Sequence, residues 1–208
     1  MAKEGIPYII IFLIPALIFF VLAWWVAGAA CLLLIAFMIF FFRDPDRECP
    51  TDEHLVLSPA DGRVVMIAPL DAGIDGSPTQ VSIFLSPLNV HINRTPIAGE
   101  IIDVVYKPGA FHVASRDIAS IENEQNVVTV RGRYVTIIFR QIAGVVARRV
   151  VCWKKKGDHL GAGDKVGLMK FSSRMDVVMP VEVEILAHRG QKVTGGITVI
   201  GRVRETQN

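Results

Sequence analysis

Val127-Val128-Thr129-Val130-Arg131-Gly132-Arg133-Tyr134-Val135-Thr136-Ile137-Ile138-Phe139 is the stretch that decides the fold class. Two short runs of β-branched and aromatic residues flank a glycine, and neither repeats its apolar residues at helical spacing. Such side chains suit the pleated, half-buried surface of a strand. The same pattern continues in both directions. Arg63–Ile67, Val81–Leu85, Ile101–Tyr106, Val145–Trp153 and Val181–Ile185 are further short runs, separated by Gly, Pro, Asp and Asn. Several strands at close spacing, with little 3.6-residue periodicity, predict an all-β or α+β domain, a β-dominated barrel or sandwich. The polar stretch Ala114–Gln125 is expected to hold one short helix or an ordered loop.

The N-terminus follows a different rule. Tyr8 to Phe42 is a run of 35 residues without a charge. A helix crossing a ~30 Å hydrocarbon core needs about 20 residues at ~1.5 Å each. The run is therefore too long for one upright span and slightly short of two. Pro15, the Trp24-Trp25 pair and Gly28 interrupt it, and tryptophan favours the membrane interface. Residues 1–42 are expected to form a membrane anchor, a transmembrane or membrane-embedded helical hairpin, with a single tilted helix as the alternative. The run far exceeds the ~7–15-residue apolar region of a signal peptide, and no small-residue cleavage site follows. It ends abruptly in Phe40-Phe41-Phe42-Arg43-Asp44-Pro45-Asp46-Arg47. Arg43 and Arg47 predict that this end stays on the cytoplasmic side of the cell membrane, with the β-rich domain, residues 43–208.

Charge and cysteine usage exclude several classes. A formal net charge of +2 is too small to suggest nucleic acid as a partner. The basic runs Arg148-Arg149 and Lys154-Lys155-Lys156 read as a solvated face or, beside a membrane anchor, as a lipid-facing patch, where each cation gains about 1 kcal/mol from anionic headgroups. Cys31, Cys49 and Cys152 form no disulfide framework, and no Cys/His spacing suggests zinc. Five scattered histidines predict no metal site, and the phosphate-loop, dinucleotide, metalloprotease and serine-hydrolase signatures are absent. Gly163-Asp164-Lys165-Val166-Gly167 and Gly190-Gln191-Lys192-Val193-Thr194 each present a turn feeding a strand, a weak internal echo of the kind seen in lysine-modified carrier domains.

Three segments carry candidate chemistry. Ser58-Pro59-Ala60-Asp61-Gly62 is an Asp-Gly turn before a strand. Leu85-Ser86-Pro87-Leu88-Asn89-Val90-His91-Ile92-Asn93-Arg94-Thr95-Pro96 places a histidine between a strand and a proline-bounded loop. Gly167-Leu168-Met169-Lys170-Phe171-Ser172-Ser173-Arg174-Met175-Asp176 holds a serine pair after a strand. Each alone has a bland reading as a turn, a structural histidine or a chance serine pair. In this order, with Glu122-Asn123-Glu124, Gln141-Ile142-Ala143-Gly144 and Ala147-Arg148-Arg149 between them and the apolar FFRDPDR exit before them, they resemble the short-type phosphatidylserine decarboxylase proenzymes.

The resemblance implies a membrane-associated enzyme that converts phosphatidylserine to phosphatidylethanolamine. A close variant within the class acts on archaeal ether-lipid serine headgroups. Family members cut their own backbone before a serine and convert it to a pyruvoyl cofactor. By motif position the cut falls between Ser172 and Ser173, giving a β chain of residues 1–172 and an α chain of residues 173–208. Pyruvoyl serves as the electron sink that decarboxylation requires and that ordinary side chains lack. His91 becomes the candidate proton-transfer residue, and Asp61 the candidate to orient it or assist self-cleavage. Arg94 and Asn93 become candidates to hold the substrate carboxylate or phosphate. The implied partners are a phospholipid, the membrane and the two chains of one precursor, and a homo-oligomer is compatible with the sequence. Two departures stand out. Longer family members carry a second histidine where this chain has Arg94, and the family usually has glycine where this chain has Ser172. Ser172 keeps open an alternative from another class, a non-catalytic, membrane-docked lipid-binding protein that retains the fold.

Overall fold

The apolar N-terminus folds back on itself. In the computed structural model, which describes residues 1–71, 73–74, 76–110, 112, 122–144, 150–170 and 173–204, helix α1 runs from Ile6 to Val21 and helix α2 from Trp25 to Phe41. The chain divides into two compact units, Met1–Asp46 and Arg47–Asn208.

Within the first unit the break falls at Leu22–Trp24, where Ala23 takes a positive φ of 58°. Two of the expected interruptions lie inside helices instead. Pro15 sits within α1, where it removes one main-chain bond without ending the helix. Gly28 lies within α2, and a Cβ there would meet the Phe20 ring at 2.8 Å, so its smallness lets the two helices close together. At the open end of the hairpin Ala2 N donates to Phe42 O at 2.8 Å, and the Tyr8 and Phe42 rings stack at 5.5 Å. The stretch Lys3–Val21 is 19 residues long and apolar enough to cross a membrane, whereas the second helix has 17 residues.

The second unit is built from strands: β1 Leu55–Leu57, β2 Gly62–Pro69, β3 Thr79–Leu85, β4 Ile92–Arg94, β5 Gly99–Lys107, β6 Gln125–Arg131, β7 Thr136–Ile142, β8 Val150–Cys152, β9 His159–Leu160, β10 Lys165–Met169, β11 Ser173–Met179, β12 Val183–Ile185, β13 Lys192–Val193 and β14 Val199–Val203. They form an eight-stranded sheet in the order β13-β2-β3-β11-β7-β6-β5-β9 and two three-stranded sheets, β1-β14-β12 and β4-β10-β8. The strand pairings among the described residues are antiparallel.

Side-chain alternation gives the large sheet one apolar face. Val81, Ile83 and Leu85 on β3, Met175, Val177 and Met179 on β11, and Ile137 and Phe139 on β7 are fully buried in one cluster. Val56, Val166 and Ile200 join that cluster from the two smaller sheets, so all three sheets share a core. The two Gly-x-Lys-Val turns do feed strands, with positive φ at Gly163 and Gly190. They lead into β10 and β13, which lie in different sheets. The expected helix or loop at Ala114–Gln125 falls largely on residues 113–121, outside the described residues, and Gln125 opens β6.

Candidate active site

Ser173 opens β11, near the middle of the eight-stranded sheet. It lies opposite Leu85 at the end of β3, and Arg174 lies opposite Ile142 at the end of β7. Because Met175 and Val177 face the core, alternation turns the Ser173 hydroxyl inward as well. Ser173 is fully buried, and its Oγ has no hydrogen-bond partner among the described residues. Leaving a buried polar group unsatisfied costs about 1–3 kcal/mol. Stability therefore gives no reason to keep a hydroxyl here, whereas nucleophilic chemistry does.

Two main-chain contacts tie β11 and β10 to the segment that carries His91. Ser173 pairs with Leu85, and Met169 N donates to His91 O at 3.2 Å. Ser173 thus lies against the start of segment 85–91, and Met169 against its end, at His91. Phe171 and Ser172, the residue expected on the other side of the cut, lie outside the described residues. A turn sets the histidine: Ser86 N and Ser86 Oγ each donate to Asn89 Oδ1 at 2.9 Å. The Asn89 carbonyl then lies 2.9 Å from His91 Nδ1. A carbonyl only accepts, so Nδ1 carries the hydrogen in the neutral ring and Nε2 carries the lone pair. That tautomer is the one a base acting through Nε2 requires. Only 2% of His91 is exposed.

Asn93 shares His91's side of the chain by two-residue alternation. It is fully buried, its Oδ1 accepts from Gln141 Nε2 at 2.9 Å, and its Nδ2 has no partner among the described residues. Gln141 pairs across β7–β11 with Met175, on the same inner face as Ser173. Its Nε2 also donates to Val151 O at 3.3 Å, and Asn126 Nδ2 donates to its Oε1 at 3.4 Å. A polar row from Asn126 through Gln141 to Asn93 therefore crosses an otherwise apolar interior. Gly167 makes room for it: a Cβ there would meet the Val151 carbonyl and come within 2.9 Å of Gln141 Nε2.

Asp61 and Arg94 belong to a second cluster. Asp61 accepts from Arg47 at 2.6 and 2.9 Å, and from Gly195 N at 2.8 Å. Arg47 also donates to Gly195 O at 2.5 Å, so this fork fastens the Gly195 turn to the Ser58–Gly62 segment. The glycine of the Asp-Gly pair has a packing reason, since a Cβ at Gly62 would collide with the Phe84 carbonyl of β3. Arg94 is 5% exposed and donates from Nη1 to Gly163 O at 2.8 Å, while its backbone N donates to Pro59 O at 2.9 Å. Of the candidates, Gln141 links Asn93 to the inner face that Ser173 shares, His91 lies against Met169, and hydrogen bonds bring Asp61 and Arg94 to the glycine turns at 195 and 163.

Gln141 carries no assigned role in the sequence reading and Arg47 only one in membrane topology, yet Gln141 orients Asn93 and Arg47 engages Asp61. A signal existed for the former, because Ile137, Phe139 and Gln141 alternate on one face and the third is polar. Cys152 is no poised nucleophile: burial pushes its thiol above the usual range, and its Sγ donates to Lys154 O at 3.4 Å. Of the basic runs, Arg148-Arg149 lies outside the described residues. A cavity of about 420 Å³ opens at the other end of the large sheet, lined by Glu100, Arg131, Tyr134 and Leu160 among others, and includes none of the candidates.

Comparison with known proteins bears on the chemistry. A family model described as Phosphatidylserine decarboxylase matches residues 34–201. A protein of Solibacter usitatus named phosphatidylserine decarboxylase proenzyme is 51% identical over 166 residues, covering 80% of this chain and 78% of that protein. Proteins of the same name from Geotalea uraniireducens and Magnetococcus marinus are each 41% identical, over 96% and 98% of this chain and 95% of their own lengths.

Proposed function

Since this chain belongs to the phosphatidylserine decarboxylase family, we propose a course for its reaction built on Ser173. The protein is a decarboxylase that releases carbon dioxide from phosphatidylserine and leaves phosphatidylethanolamine. The observation that carries the finer reading is the buried Ser173 hydroxyl, without a partner among the described residues, at the first residue of β11.

Self-processing begins when Ser173 Oγ attacks the carbonyl carbon of residue 172. The hydroxyl proton leaves to a base, the C–N bond breaks, and the amide becomes an ester with a free amine on residue 173. Removal of the Cα proton of residue 173 then expels the residue 172 carboxylate as the new C-terminus of the chain 1–172. One water displaces ammonia from the resulting dehydro residue and leaves pyruvoyl at the head of the chain 173–208. The start of β11 suits such a group, since it is enclosed by Leu85, Met175 and the Gln141 row and its hydroxyl is tied down by no described neighbour. When formed, pyruvoyl supplies the carbonyl that accepts the electrons left behind by carbon dioxide.

The side chains serve proton transfer and binding. His91 Nε2 takes the Ser173 proton and returns a proton to the substrate α-carbon, with Nδ1 fixed by the Asn89 carbonyl. Asn93 Nδ2, buried and without a described partner, is a donor for an anionic oxygen of the substrate. Asp61 acts through the Arg47–Gly195 fork that shapes the floor of the domain, and Arg94 adds positive charge to its interior. The hairpin 1–42 embeds in the membrane and keeps the domain at the cytoplasmic face, where lipid headgroups present their carboxylates. The chemistry is confined to the headgroup, so ether-linked serine lipids fit the same site.

Intact-mass measurement on the purified chain tests this reading. The 22.9 kDa species should convert into chains 1–172 and 173–208, the second without a free amine, and Ser173→Ala should never convert. A chain that stays whole and inactive even with Ser172→Gly refutes the reading and leaves a non-catalytic lipid-binding protein of the same fold.

A further inference from the structure

The outer face of β11 carries a feature that the chemistry above does not use. Arg174 and Asp176 have fully buried side chains, and Arg174 Nε donates to Asp176 Oδ1 at 2.7 Å. Arg174 Nη2 donates to Ser82 Oγ at 2.7 Å on the neighbouring strand. Gln80 Nε2 donates to Asp176 Oδ2 at 3.0 Å and to Ser82 Oγ at 3.2 Å. The register explains the assembly, because Asp176 lies opposite Ser82 and Val178 opposite Gln80, all on the face turned away from Ser173. Stability alone does not account for this network. Replacing a buried ion pair by well-packed apolar side chains is often neutral or stabilising.

The position of the network relative to the cut supplies a reason. Before cleavage, residue 173 is held by the chain on both sides. After cleavage, β11 begins at the reactive group itself, and strand termini are where structure opens most readily. Arg174 is then the second residue of a free chain end, and its side chain adds a bond to β3 beside the main-chain pairing. We propose that Arg174, with Asp176 and Ser82, is a positioning clamp that keeps the head of the cleaved chain in register once the peptide bond before it is gone. The clamp rests on the self-cleavage reading above. It acts on geometry, where a displacement of about 1 Å is enough to cost ~10²-fold in rate.

The test compares cleaved and uncleaved forms of the full chain in detergent, in a Ser172→Gly background. Arg174→Met combined with Asp176→Leu removes the ion pair while filling its volume, and Ser82→Ala removes one bond. Amide exchange at residues 174–176 should rise about tenfold or more in the cleaved double variant and change little in its Ser173→Ala counterpart. The first-order cleavage rate should stay within about threefold, while kcat per cleaved chain falls about tenfold or more at similar KM. Ser82→Ala should show the same pattern at smaller amplitude, and it decides the matter should the double variant not fold. Equal exchange in both forms with unchanged kcat per cleaved chain overturns the clamp alone. No cleavage in the Ser172→Gly parent overturns the self-cleavage reading and the clamp with it.

Discussion

Gln141→Leu should be costly out of proportion to its size. The side chain is fully buried on the inner face of β7, and its Nε2 is a described donor to Asn93 Oδ1. Leucine fills much of the volume but strands the Asn93 oxygen, at about 1–3 kcal/mol for a buried unsatisfied group. The 3.4 Å bond from Asn126 is long, so its loss adds less. Burying the leucine offsets about 1 kcal/mol of the total. A net loss of roughly 1–3 kcal/mol follows, or about 2–12 °C in Tm for a domain of this size at ~2–4 °C per kcal/mol. Asn93→Leu combined with Gln141→Leu removes both partners, and paired apolar replacement is close to neutral. The double variant should therefore recover about 1–2 kcal/mol relative to the sum of the single variants. It should still fail to turn over substrate, because the Asn93 donor is gone. Thermal unfolding in detergent gives the stability cycle, and product release per cleaved chain gives the activity. A Gln141→Leu Tm within about 1 °C of the parent, or a double variant that loses the full sum, would refute the argument.

Two further predictions concern the cut itself. His91→Ala should slow cleavage, decarboxylation or both by about 10²–10⁴-fold while leaving the fold intact, read by gel and carbon dioxide release; wild-type rates would remove His91 from the mechanism. Ser172→Gly should speed cleavage about 10²–10³-fold, because a Cβ next to the nucleophile narrows the backbone geometries that present the carbonyl, at roughly 3–4 kcal/mol in the barrier. A parent chain already fully cleaved on isolation would show that the Cβ does not obstruct the attack.

The N-terminal hairpin and the β class were legible because both rest on local composition. Thirty-five uncharged residues favour apolar helix, and the β-branched runs around Gly132 favour strands. The runs expected at Val81–Leu85, Ile101–Tyr106 and Val127–Val130 fall inside β3, β5 and β6. The motifs likewise pointed to Ser173 and His91, since their residue types and order persist whatever surrounds them.

Tertiary structure alone decided the rest. Arg174 and Asp176 keep Ser173–Met179 out of the runs read as strands, yet it is a fully buried strand in the middle of the largest sheet. Ser82 and Gln80, more than 90 residues earlier, hydrogen-bond the two buried charges. Asp61 meets Gly195 across 134 residues, and Gln141 meets Asn93 across 48. A short window registers the polarity of such residues but not the partner that satisfies it. Strand periodicity is a property of neighbours in the chain, whereas the burial of a charge or an amide depends on hydrogen bonds that exist only once distant strands have paired.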